Sequence, residues 1–356
     1  MEDRAPKFLV IRRDNIGDLV CTTPLFSALR THFPNAEICA LVNSYNIAVL
    51  ENNSDIDAVY AYTKAKHRPA GKSVAGIYWD RLTLFLELRR KHFDYAVLAA
   101  TAPTSVPRAL KLARFIRPKH IIGYSESAIP QRGGIDFPVP YSHRTDTHEV
   151  EEVLKLLSPL GIDGTPPLVK VCPNSAVTEH ARETIVRPAG KRLIGVHISA
   201  RKPSQRWPTE RFVELIRELA RSESMAFALF WSPGDEDNPL HPGDDRKAHE
   251  ILSALSGLPI VAYPTHRLQE LVAGLSLCDA LICSDGGAMH LAAGLGKPIL
   301  CFFGKSSSVR WRPWGVSHVL IQPPSQEVTD ISIEEALTGF NELLKKVNNL
   351  TPRNNG

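Results

Sequence analysis

Residues 8–33, FLVIRRDNIGDLVCTTPLFSALRTHF, hold the pattern on which the fold turns. The apolar run 8–11 has the length of one buried strand and stops at two arginines, Arg12 and Arg13. Asp14, Asn15, Gly17 and Asp18 follow, and 19–32 carries helical spacing. A buried strand that passes through a short polar turn into a helix is the opening of a parallel α/β sheet. Ligands of such sheets bind beyond the carboxyl ends of the strands. The two aspartates therefore have two readings. They cap the free N–H groups of the helix start, or they face a ligand that Gly17 lets come close.

The alternation continues outward from this unit. Strands are expected at 36–42, 58–62, 95–99 and 120–123, with helical turns at 45–51 and a helix at 81–91 whose apolar face is Leu82, Phe85, Leu86 and Leu88. A helix at 149–160 closes this half, a Pro-rich connection follows, and a further helix is expected near 176–186. Strands then recur at 193–197, 226–231, 260–262, 280–284 and 299–303, separated by helices at 209–222, 246–255, 268–276 and 290–295. An amphipathic helix at 333–347 ends the pattern. The expected architecture is two Rossmann-like, doubly wound parallel-sheet domains, 1–170 and 190–330, facing across a cleft, with a terminal helix at 331–348.

Composition agrees with this class. The 356 residues are 43% hydrophobic and 22% charged, values of an ordinary globular enzyme. A net charge of +4 is too small to point to nucleic acid, yet it is compatible with an anionic ligand or an anionic membrane surface. Cys21, Cys39, Cys172, Cys278, Cys283 and Cys301 are scattered, without a CxxC pair, and read as reduced and mostly buried thiols. Neither a disulfide framework nor a structural zinc site fits that spacing. The amino-terminal apolar stretch is too short for a signal segment, and no apolar run reaches the roughly 20 residues of a membrane span. A cytoplasmic protein is expected, free to touch a membrane from outside.

Three further strand-end loops carry chemistry. In ICSDGGAMHLAAGLGKP, 282–298, Asp285, Gly286 and Gly287 lead from a buried strand into a helix bearing His290. Exposed backbone N–H groups at a helix start suit a diphosphate, and Asp285 suits sugar hydroxyls. The plainer alternatives are an aspartate cap and a packed histidine. In HISARKPSQRWPTERF, 197–212, Ser199, Lys202 and Arg206 bring a hydroxyl and cations to one loop, where diphosphate neutralisation competes with a merely solvated basic loop. FFGKSSSVRWRPWG, 302–315, is the third. No GxGxxG follows the first strand of either half, so a dehydrogenase is the least expected of the enzyme classes.

The stretches IRRDNIGDLVCTTPLFSALRTHFP, HISARKPSQRWP, SDGGAMHLAAGLGKPILCFFG and RWRPWG, in this order, resemble the heptosyltransferases of the lipopolysaccharide inner core, glycosyltransferase family 9. The resemblance implies an inverting GT-B glycosyltransferase. Its amino-terminal domain would hold the acceptor and its carboxy-terminal domain a nucleotide-sugar, usually ADP-L-glycero-D-manno-heptose. Asp18 takes the general-base position, Asp285, Gly286 and Gly287 the donor sugar and diphosphate contacts, and Ser199 a phosphate contact. Lys202, Arg206 and His290 complete the expected donor set. Many relatives place Lys where this chain has Gln205, so Lys202 or Arg206 would supply the charge. An anionic lipopolysaccharide core acceptor would meet basic residues: Lys64 and Arg68 (with Lys66) in one loop, and Arg117 at the end of the series Arg108, Lys111, Arg114, which a solvated helix face explains as well.

No metal and no cofactor are expected, no nucleic acid, and transient contact with the cytoplasmic face of the inner membrane. The ribose-binding carboxylate stays open among Asp235, Asp237, Asp244 and Asp245. Transfer from another nucleotide-sugar, a nucleotide-sugar epimerase and a non-catalytic sugar-nucleotide binder are the alternatives.

Overall fold

The structure, a computed structural model, describes residues 4–63, 73–102, 104–126, 129, 134–141, 146–237 and 242–350. The chain divides into two compact units, Met1–Val171 and Cys172–Gly356. In the first, β1 (Lys7–Ile11) leads to α1 (Ile16–Val20) and α2 (Thr23–His32), then β2 (Glu37–Asn43) and β3 (Ala58–Tyr62). α3 (Val74–Arg90), β4 (Tyr95–Leu98), α4 (Val106–Ile116), β5 (His120–Ser125), β6 (Phe137–Pro140) and α5 (Glu149–Leu154) complete it. In the second, α6 (Ser175–Thr184) precedes β7 (Arg192–His197), α7 (Thr209–Ala220), β8 (Met225–Trp231), α8 (Asp245–Ala254) and β9 (Ile260–Pro264). α9 (Leu268–Leu277), β10 (Ala280–Ser284), α10 (Gly287–Gly294), β11 (Ile299–Phe302), α11 (Ser308–Trp311), β12 (His318–Ile321) and α12 (Ile333–Leu350) follow.

Among the described residues these strands form two six-stranded parallel sheets, ordered β3-β2-β1-β4-β5-β6 and β12-β11-β10-β7-β8-β9. Counted from the first strand of each unit, both sheets share one order. The chain reverses direction across the sheet between β1 and β4, and again between β7 and β10. In such sheets the switch point is where a crevice opens for ligand. β1 is flanked on both edges, with Phe8 in register with Ile38 and Tyr95, and its apolar run is continuous because both faces are covered.

Several boundaries differ from the sequence reading for local reasons. The helix expected at 19–32 is two helices. Thr22 Oγ1 donates to Asp18 O at 2.8 Å, Thr23 Oγ1 to Val20 O at 2.7 Å, and Pro24 brings no N–H, so the first helix ends and a second begins. α3 starts at Val74, well before 81, because Ser73 caps it by accepting Gly76 N at 3.0 Å. Its buried face holds Ile77 and Leu88, whereas Leu82 and Leu86, expected inside, are exposed. The helix expected at 149–160 stops at Leu154 and tightens into a 3₁₀ turn that contains Pro159. Two edge strands, β6 and β12, have no counterpart among the strands expected from the sequence.

In the second unit, Trp207 is almost wholly buried. Its ring centroid lies 5.0 Å from Phe212 and 4.7 Å from Phe302, and its Nε1 donates to Ile331 O at 3.2 Å. It fastens the loop after β7 to the core and to the approach of α12. Trp207→Ala is expected to destabilise this unit by about 3–5 kcal/mol, measured as the loss in urea-unfolding free energy.

Candidate functional sites at the strand ends

At the end of β1 the chain carries a buried guanidinium. The Arg12 side chain is 1% exposed. Its Nη2 lies 2.8 Å from both Asp18 Oδ1 and Glu149 Oε1, and its Nη1 donates to Ala99 O. Nε is a charge partner of Asp14 Oδ2 at 3.2 Å, out of line for a hydrogen bond. Thr101 Oγ1 donates to the same Glu149 oxygen at 2.7 Å. Burial would lower the pKa of Arg12, but Glu149, Asp18 and Asp14 together raise it, so it stays charged.

Asp18 is the third residue of α1. Its Oδ2 accepts from Asn15 N at 3.1 Å and Asn15 Nδ2 at 3.0 Å. The capping reading of this aspartate is therefore true of one oxygen. Among the described residues Oδ1 takes only the Arg12 bond, and the side chain is 17% exposed. A carboxylate has about four acceptor sites, so one remains on Oδ1 for an incoming donor. Burial pushes the Asp18 pKa upward, but the Arg12 charge and the Asn15 and Arg12 hydrogen bonds outweigh it and hold the carboxyl below its usual range. Gly17 is helical and makes no special turn.

The loop before Asp18 is held from the neighbouring strand. Asn43 Nδ2 donates to Arg13 O at 2.6 Å and to Asp14 O at 3.1 Å, and Tyr45 Oη donates to Asp14 O at 2.6 Å. Beside it, a cavity of about 110 Å³ is lined by residues that include Arg13, Asp14, Ser105 and Arg108. Sequence reading missed Arg12 and Glu149, which stand 137 positions apart, and nothing local to either marks the pairing.

Of the expected acceptor residues, Lys64 and Arg68 lie outside the described residues. Arg117 is displaced from the role it was given. It ends α4 in a left-handed conformation and precedes β5, which puts it at the edge where the strands begin, opposite Asp18. Arg108, at the other end of α4, stands at the cavity instead.

In the second unit, the loops after β7, β10 and β11 meet. Gln205 Nε2 donates to Asp285 Oδ2 and, at 3.1 Å, to Ser306 Oγ, which also receives Lys202 Nζ at 3.2 Å. Gln322 Nε2 donates to Gly304 O at 2.7 Å and Ser306 O at 3.0 Å. A Cβ on Gly304 would lie 2.3 Å from Ser204 O, so only glycine lets these loops approach. Asp285 is buried and its N–H donates to Phe302 O at 2.8 Å. Gly286 is extended, and a Cβ there would meet nothing nearer than Ser284 O at 4.0 Å, so the approach to the start of α10 is open. The N–H groups of its first turn have no acceptor within the helix.

His290 is buried, with its ring edge-on to Trp311 at 6.0 Å. Ser199 Oγ accepts Ser232 N at 2.9 Å, tying β7 to β8, and Arg206 Nε donates to Ala200 O at 2.9 Å. Lys247 donates to Trp207 O at 2.6 Å beneath this loop, and burial pushes its pKa down to about 8. Asp244 is buried near Ser199; burial raises its pKa. Asp245 has both oxygens engaged, by Trp231 Nε1 at 2.7 Å and Gly234 N at 2.8 Å. Among the described residues no three His, Cys, Asp or Glu side chains gather into a metal-binding group.

Residues 81–339 match the family model of glycosyltransferase family 9 (heptosyltransferase). The chain belongs to that family. The chain is 24% identical over 312 residues to lipopolysaccharide heptosyltransferase 3 of Escherichia coli, covering 84% of this chain and 83% of that protein. A solved glycosyl transferase family 9 structure from Veillonella parvula superposes with a TM-score of 0.78 at 19% identity, covering 97% of this chain and 99% of the other. The E. coli ADP-heptose lps heptosyltransferase II does so at 0.75 and 20%, covering 96% and 99%. The fold is GT-B-like, and the family is one of glycosyltransferases, which decides for group transfer over the epimerase alternative.

Removing Glu149 would leave the buried Arg12 short of one carboxylate. Glu149→Ala is expected to destabilise the first unit by about 3–5 kcal/mol in urea unfolding. A change within 0.5 kcal/mol, the range of an ordinary surface substitution, would show that the pair carries no stability.

Proposed function

We propose that the protein is an inverting heptosyltransferase. It moves heptose from ADP-heptose to the anionic inner core of lipopolysaccharide, with Asp18 as general base. The observation that supports this most directly is the Asp18 carboxylate. It is fixed at a sheet switch point by Arg12 and Asn15 and keeps one acceptor site on Oδ1. An acceptor hydroxyl attacks the anomeric carbon on the side away from the diphosphate, and Oδ1 takes its proton as the new bond forms. The nearby Arg108 faces anionic groups of the acceptor.

The donor belongs to the second unit in this reading. The first-turn N–H groups of α10 and the Lys202 ammonium meet the diphosphate as negative charge gathers on it. Asp285, oriented by Gln205, accepts sugar hydroxyls. Asp244 is the ribose partner: Asp245 is fully engaged, and the Asp244 backbone is tied to Ser232 O at 2.9 Å at the end of the second strand of the unit, where nucleotide-binding sheets carry that carboxylate.

The low pKa of Asp18 has a kinetic consequence. Asp18 titrates below the ordinary aspartate value of about 3.9, so any acid limb of kcat/KM that it causes should lie below about pH 3.9. In Arg12→Met/Glu149→Gln only the Asn15 hydrogen bonds still oppose the burial effect. The acid limb then moves up into the measured range, while an unchanged profile removes Arg12 from the account. Asp18→Asn is expected to lower kcat by about 10²–10⁴ while ADP-heptose still raises the melting temperature as in the wild type. Transfer at the wild-type rate by this variant rejects Asp18 as base.

A further inference from the structure

Ten large apolar side chains are exposed among the described residues, and six of them, Val74, Tyr78, Trp79, Leu82, Leu86 and Phe115, lie on the two adjacent helices α3 and α4. The other four are scattered singly, as on any protein surface. α3 is apolar on two sides. Ile77 and Leu88 face inward, while Trp79, Leu82 and Leu86 recur at i, i+3 and i+7 on the opposite side. Trp79 is 66% exposed and Tyr78 57%; the Tyr78 ring is stacked under Arg81, 5.1 Å from its centroid.

α4 continues this face with positive charge. Phe115 touches Phe85 of α3 with ring centroids 6.4 Å apart, and Arg89 covers it at 5.9 Å. Lys111 and Arg114 stand on the exposed side of α4, and Arg117 at its end. With Arg90 of α3 they are four cations, none of which forms an ion pair with another described residue. Asp80 and Glu87 are the acidic groups of α3, and helical spacing sets them toward the side away from Arg89. An apolar stripe with Trp and Tyr beside unpaired Lys and Arg is the chemistry that seats a helix in the headgroup layer of an anionic bilayer. A soluble protein partner would need no such run of unneutralised cations next to the apolar stripe.

We propose that the α3–α4 face of the first unit docks on a bilayer surface rich in anionic lipid. Trp79, Leu82 and Leu86 enter the headgroup region, and Arg90, Lys111, Arg114 and Arg117 meet lipid phosphates. Among the described residues no helix is long and apolar enough to cross a membrane, so this is contact with one leaflet. The proposal does not depend on the identity of the transferred sugar.

The test is sedimentation of the full-length protein with vesicles of phosphatidylglycerol and phosphatidylethanolamine, or of phosphatidylcholine alone. The wild type is expected to partition onto the anionic vesicles and to leave them as salt is raised. Trp79→Ser/Leu86→Ser and, separately, Lys111→Glu/Arg114→Glu are expected to lower the partition coefficient at least about tenfold, with unchanged melting temperatures because all four side chains are exposed. Trp79→Ser/Leu86→Ser should still transfer sugar to a soluble, delipidated acceptor at the wild-type rate, so failure of docking and failure of the transfer reading are distinguished. Absence of wild-type binding, or undiminished binding by both variants, overturns the proposal. So does a concentration-dependent dimer in light scattering that Trp79→Ser/Leu86→Ser abolishes, since a second copy would then be the occupant.

Discussion

The first site depends on a single buried cation. A guanidinium taken out of water must find its charge and its hydrogen bonds inside the protein, or it destabilises the fold by several kcal/mol. Arg12 finds them in Asp18, Glu149, Asp14 and Ala99 O, which come from the β1–α1 loop, the start of α5 and the end of β4. The same bonds that satisfy Arg12 therefore fix where the Asp18 carboxylate stands and set its charge state. Folding and chemistry share one constraint here. Arg12 stays charged, and its charge holds the Asp18 carboxyl below the usual carboxylate range.

The second site is held in a different way. Asp285 faces the neutral amide of Gln205, and the Lys202 ammonium reaches this cluster from an exposed position through Ser306. An amide orients a carboxylate without neutralising it. The Lys202 charge of this cluster is thus kept apart from the Asp285 carboxylate.

The sheets were legible because parallel strands covered on both faces must be continuous apolar runs, and 8–11, 38–42, 226–231 and 280–283 are such runs. The strand-end loops were legible for the same reason, since each begins where such a run stops. What could not be read is what depends on distance along the chain. Arg12 looked like the polar stop of a strand, because its partner Glu149 enters from another helix. β6, of sequence FPVP, contains two prolines and forms only by pairing with β5. The outward Leu82 and Leu86 were assigned to the core because periodicity reports an apolar face and not what lies against it.

Both units solve one further problem alike. A long loop at a strand end must be held in place, yet a loop has no backbone ladder to hold it. In the first unit the carbonyls of Arg13 and Asp14 receive the side chains of Asn43 and Tyr45 from the strand alongside. In the second, Gln322, just beyond β12, holds the carbonyls of Gly304 and Ser306, and Lys247 holds that of Trp207. In each case a neighbouring element supplies the hydrogen bonds that secondary structure would have made. The bonded atoms are backbone oxygens, so these bonds leave the loop side chains unused. Lys247 shows how strongly this arrangement is enforced: the lysine stays buried beneath the loop although burial weakens its hold on the proton.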